Sequence, residues 1–201
     1  MPLAAQHSSR APNDALRWLN AGKLGHALAL SEQALTATPW SVSALVIHAI
    51  IRIHAKRFDI ALASLMRAFA LNPHDGNVLY RLGQCTQSMN EFIAAENWSL
   101  KAVSVRPDWA DPYFMIGSNH HILGNYAVAA EWLAKAVVRR PNWAAAQFAV
   151  GRTLFLSGQR SAANSWLSKA VALDPGFRKH EEFLLATLTS DDFEAWFAEP
   201  M

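Results

Sequence analysis

Eight histidines and one cysteine are the residues of this chain that could do metal or nucleophilic chemistry, and their spacing argues against both. His120 and His121 are adjacent, and neighbours on a helix point in different directions. His48 and His54 lie six residues apart and share no clean helical face. His180-Glu181-Glu182 has no second histidine four residues on, so the zinc-protease pattern is missing. Cys85 is the single cysteine, which excludes an internal disulfide, and it reads as a small buried hydrophobe. No glycine-rich phosphate loop is present. The expectation is a protein with no catalytic residues, no cofactor and no metal site, and therefore not an enzyme.

The elements that position these residues follow from a ladder of prolines. Pro39, Pro73, Pro107, Pro141 and Pro175 recur at one interval of 34 residues, while the other four prolines stand outside the ladder. Such a period marks an array of supersecondary units. With the proline at position 32, the units are 8–41, 42–75, 76–109, 110–143 and 144–177. Position 20 is then Ala27, Ala61, Ala95, Ala129 and Ala163, and position 27 is Ala34, Ala68, Ala102, Ala136 and Ala170. Position 8 is Ala15, Ala49, Gly83, Gly117 and Gly151. Small residues at fixed sites let two helix backbones approach closely, and a large side chain there would overpack the contact.

Each unit predicts two helices. The first, such as Ala110 to Leu123, meets a turn at position 15, held by Gly22, Lys56, Asn90, Gly124 and Gly158. Lys56 is the poorest fit there. The second helix, such as Tyr126 to Arg139, stops before the proline, which lacks a donor and disfavours helical geometry in the residue preceding it. Pro12 delays the first helix of the first unit to about Asn13.

This pattern resembles the tetratricopeptide repeat family over residues 8–177. The resemblance implies an all-α solenoid of five helix-turn-helix repeats coiled as a right-handed superhelix. It departs from the family at position 11, where Arg52, Thr86, His120 and Leu154 replace the usual aromatic. The family lines its concave face with positions 2, 5, 9 and 12 of the first helix. Position 5 is Val46, Tyr80, Phe114 and Phe148, an apolar and aromatic row. Polar Asn77, Gln84, Gln87, Asp111, Ser118, His121 and Arg152 flank it, with Ile50 on the same face in the second repeat and Ala145 and Phe155 in the fifth. The residues expected to form a peptide-binding groove are Val46, Ile50, Asn77, Tyr80, Gln84, Phe114, His121, Phe148 and Arg152. The lysine and asparagine clamp by which one subfamily holds acidic chaperone tails is missing, although Arg81 and Arg152 remain candidate carboxylate contacts.

Trp98, Trp132 and Trp166 form another ladder at position 23 and predict packing between repeats. Lys101, Arg106, Lys135, Arg139, Arg140 and Lys169 recur on the second helices, where they suit helix C-termini. Residues 1–7 read as a flexible N-terminus. Residues 178–201 read as a capping helix, Lys179 to Leu188, and a short amphipathic tail with Ser190 as N-cap and Phe193, Trp196 and Phe197 at helical spacing.

The net charge of +2 argues against nucleic acid held by long-range attraction. No secretory signal or run of about 20 apolar residues is present, so a cytoplasmic location is expected. The expected function is a protein-interaction scaffold or adaptor, chaperone-like in one version. It binds a partner segment with apolar anchors, and homo-oligomers are one option. The alternatives are the repeat portion of a larger enzyme and a self-assembling scaffold.

Overall fold

The computed structural model describes residues 13–180 and 182. Helix α1 covers residues 13–20. It is followed by α2 (Leu24–Ala37), α3 (Val42–His54), α4 (Phe58–Leu71), α5 (Gly76–Ser88) and α6 (Phe92–Val105). Then come α7 (Ala110–Ile122), α8 (Tyr126–Arg139), α9 (Ala144–Leu156) and α10 (Arg160–Leu173). A 3-10 turn, Pro175–Phe177, leads into helical residues 178–180. The fold is all-α, five helix pairs in tandem with a helical cap at the end, and no strand occurs among the described residues. Ser190, Phe193, Trp196 and Phe197 lie outside the described residues, as does most of the expected capping helix.

The prolines end the second helices as expected. Thr38, Asn72, Arg106, Arg140 and Asp174 each precede a ladder proline and adopt φ of −134° to −145° with ψ of 71° to 102°. The proline ring keeps its predecessor out of the helical region. Each of these residues still donates its N–H to the carbonyl four residues back, so the last turn is closed. The turns between paired helices all use a left-handed residue: Gly22, Gly124 and Gly158, but also Lys56 at φ 56° and Asn90 at φ 61°. Lys56 thus adopts the geometry of the other four and carries the steric strain of a Cβ in that region.

Two compact units divide the chain, Met1–Asp108 and Trp109–Met201. In the first, Leu45, Leu65, Val78 and Leu82 form one apolar core, and Ala15, Ala27, Ile47 and Ile51 form another. In the second, Leu133, Val150, Leu154 and Leu167 make a single core between α8, α9 and α10. The alanines at position 20 are at most 1% exposed in all five repeats. A Cβ at Gly117 would stand 2.6 Å from Cγ of Leu133 and 2.9 Å from its backbone nitrogen, so α7 and α8 touch there at backbone distance. Gly151 repeats the contact against Leu167.

Candidate peptide-binding groove of the second unit

Helix α9 carries Ala145, Phe148, Ala149 and Arg152 at i, i+3, i+4 and i+7, which is one stripe of a helix. With Phe114 of α7, Phe177 of the 3-10 turn and His180, this stripe lines a groove of about 190 Å³. The volume lies below the few hundred Å³ of typical small-molecule pockets and suits one anchoring side chain. Phe114 is half-buried and tilts against Trp143, with ring centroids 4.6 Å apart. Phe148 stacks on Phe177 at 4.9 Å and meets the edge of His180 at 6.0 Å. Both phenylalanines rest on the core of Leu133 and Val150, so each presents only part of its surface to the groove.

Alongside the His180 imidazole, Arg152 supplies the guanidinium of this wall. Its Nε is buried and has no hydrogen-bond partner, and no carboxylate pairs with it among the described residues. Burial lowers the guanidinium pKa from its ordinary value, with Tyr126 opposing the shift. An arginine remains charged regardless, so the groove holds a partly desolvated cation.

The alanines at 145 and 149 create the space, because any larger side chain on that stripe would fill it. Ala145 was expected in the lining. Ala149, Phe177 and His180 were not, although Phe177 and His180 share the three-residue helical spacing. Phe155, expected on the same face, is 8% exposed and belongs to the core. Asp111 is engaged by Arg140.

His121 does not line the groove. Thr153 donates its hydroxyl to the Ala149 carbonyl at 2.7 Å, so the contact of 2.8 Å between its Oγ1 and Nδ1 of His121 makes the imidazole the donor. Burial, aided by Arg152, pushes the His121 pKa down to about 4, and the ring is neutral near pH 7. It ties α7 to α9 and so sets the spacing of the two groove walls.

A profile of the tetratricopeptide repeat matches residues 110–142, the fourth of the 34-residue units. That unit is the part of the chain the family profile recognises. No curated protein sequence matches it. Among solved structures, one similar in fold is a thermophilic TPR protein of Thermus thermophilus, TTC0263. It shows 19% identity and a TM-score of 0.75 over 89% of this chain and 99% of that one. PilF of Pseudomonas aeruginosa shows 16% identity and a TM-score of 0.77 over 98% and 99%. YrrB, described as a TPR protein with an unusual peptide-binding site, shows 19% identity and a TM-score of 0.65 over 90% and 91%. At these identities the likeness is one of fold.

The first unit of the chain holds the remaining candidates. Asn77 is exposed on α5, while Tyr80 and Gln84 of the same helix, and Val46 and Ile50 of α3, are half-buried. Val46 rests on the core of Leu45 and Leu82. Arg81 donates to Oε1 of Gln84 at 2.7 Å and lies 5.6 Å from the Tyr80 ring centroid. Arg81 thus has a side-chain acceptor, whereas Arg152 has none among the described residues.

The basic residues of the second helices have a role that helix-end electrostatics did not suggest. Lys101, Lys135 and Lys169 place Nζ 4.3, 4.2 and 4.8 Å from the rings of Trp98, Trp132 and Trp166, three residues back. Arg139 covers Tyr113 at 3.5 Å, and Arg140 covers Trp143 at 4.2 Å. Of these, Arg139 alone falls in the last turn of its helix. The tryptophans also pack between helices, Trp98 edge-on to Phe69 and Trp132 tilted against Tyr113.

No group of three or more His, Cys, Asp or Glu side chains among the described residues could hold a metal ion. Cys85 is buried, and burial with the nearby Glu91 raises its pKa to about 11, which leaves little thiolate near pH 7. None of the described helices is long and apolar enough to cross a membrane.

Proposed function

We propose that the groove of the second unit binds a segment of a partner protein. An aromatic or large aliphatic anchor sits between Phe114 and Phe148, and a carboxylate pairs with Arg152. The observation that carries this reading is a guanidinium on an aromatic wall, paired with no carboxylate among the described residues. A buried charge with no partner is costly, and a carboxylate that reaches it forms a charge-assisted, often bidentate pair. The aromatic rings add contact area at small entropic cost. His121 acts in this reading by holding α7 against α9 and not by touching the ligand.

In the first unit, Val46, Ile50, Asn77, Tyr80 and Gln84 are proposed as a surface with the same character but without an unpaired charge. It would contribute apolar contact and backbone hydrogen bonds. The ligand is a protein segment with apolar anchors. The nearly balanced charge of the chain speaks against nucleic acid.

Selection from a random peptide library against the wild-type chain, counter-selected with Arg152→Gln, tests the reading. It predicts an enriched motif that couples an acidic residue to an aromatic or large aliphatic one. Enrichment of motifs indifferent to Arg152 would contradict it.

A further inference from the structure

We propose that, when no partner is bound, the groove of Phe114, Phe148 and Arg152 holds the chain's own acidic aromatic segment, Asp191 to Phe197. This rests on the groove reading above. It adds the identity of a resident occupant, and hence a built-in competitor for every partner.

Three observations point to this segment. The first is complementarity. Residues 190–199 read Ser-Asp-Asp-Phe-Glu-Ala-Trp-Phe-Ala-Glu, which sets three large aromatics among four carboxylates with no basic residue. The groove offers the inverse, an aromatic wall around one guanidinium that no described carboxylate neutralises. The second is the point of departure. Phe177 and His180 line the groove themselves, so the chain that follows starts at its rim. The third is reach. The eleven residues from Glu182 to Phe193 span at most about 36–40 Å when extended, while a helix of 13 residues is about 20 Å long. The segment can therefore return along the whole of α9.

Tethering decides between this occupant and a second copy of the chain. A short linker gives an effective concentration on the order of millimolar, which a separate chain does not match in dilute solution. The resident segment covers the aromatic wall and neutralises Arg152, and a partner must displace it.

A fluorescein-labelled peptide of residues 189–200 is the probe. Its anisotropy is titrated with the full 201-residue chain, wild type and F193A/W196A/F197A. The triple variant should bind the peptide at least tenfold more tightly than wild type, because its own segment no longer competes. Adding R152Q to the triple variant should reverse most of that gain. The milder D191N/D192N chain should bind with intermediate affinity, and matched circular dichroism spectra secure the comparison. Equal affinity for wild type and triple variant, or no binding to either, overturns the inference. A dimer in light scattering that the triple variant dissolves overturns the intramolecular placement. The library-selected peptide separates the two readings. If its binding needs Arg152 but ignores the tail substitutions, the groove stands and the resident segment falls. If its binding does not need Arg152, the groove reading falls as well.

Discussion

Nδ1 of His121 lies 2.8 Å from Oγ1 of Thr153, and this bond across 32 residues clamps α7 to α9 with a neutral imidazole. Protonation would add a charge beside Arg152 in a site that already desolvates both groups. The folded-state pKa of about 4 lies below the ordinary 6.5. Between those values the unfolded chain binds the extra proton and the folded chain does not, so stability rises with pH through that window.

The first prediction follows. The His121 contribution is complete above about pH 6.5, falls as pH drops, and is lost by about pH 4. After allowance for partial exposure, it amounts to about 2 kcal/mol. His48 shifts the same way, through burial and the nearby Arg52, so the comparison must be with H121Q. Urea unfolding at pH 7.0 and 4.5 should show a larger loss of stability for wild type than for H121Q. Equal losses would show that His121 titrates normally.

One substitution should have opposite signs at two glycines. At Gly117 an added Cβ meets Leu133 at 2.6 Å, and its backbone nitrogen at 2.9 Å. Gly117→Ala should destabilise by about 1–3 kcal/mol despite the better helix propensity of alanine. Gly25, near the start of α2, has nothing within 4 Å of such a Cβ. Gly25→Ala should stabilise by about 0.5 kcal/mol. Ala129→Leu, at a fully buried ladder position, should resemble Gly117→Ala. Thermal melts of the three variants check the set, and equal shifts for both glycines would mean that α7 and α8 do not touch closely.

Lys56 makes a separate prediction. Its φ of 56° is a conformation that glycine adopts freely and lysine does not. Lys56→Gly should raise stability by about 0.5–1 kcal/mol, whereas Gly124→Lys, the reverse change at the equivalent turn, should lower it by a similar amount. Chemical denaturation of both variants would expose a relaxed turn at Lys56 if neither shift appeared.

The repeat was legible because its signals are local. A proline dictates the geometry of its predecessor, and a small residue recurs wherever two backbones meet, so Pro141 and Ala129 announced α8 before any tertiary contact was known. The turn at Lys56 was legible in position but not in conformation, since the pull of the repeat frame overrides the residue's own preference. The groove was only half legible. Phe114, Phe148 and Arg152 shared a helical register that placed them on one face. Which cation stays unpaired depends on neighbours: Arg81 finds Gln84 three residues on, and Arg140 finds Asp111 on α7. Phe155 shared the groove register as well, yet it is buried in the core of Leu133 and Val150. The stacking of Lys135 on Trp132 was readable from the spacing of three, but the competing helix-end explanation used the same residues.

The central claim is that the second unit binds through its groove and not through the outer face of α8. The measurement is calorimetric titration of one library-selected peptide into wild type, F114A, R152Q and K135A, with a circular dichroism spectrum of each protein. The account predicts that R152Q and F114A each weaken binding at least tenfold at near wild-type helicity, and that K135A binds as wild type does. Unchanged affinity in F114A and R152Q, with K135A weakened, would place the site over Trp132 and contradict the account.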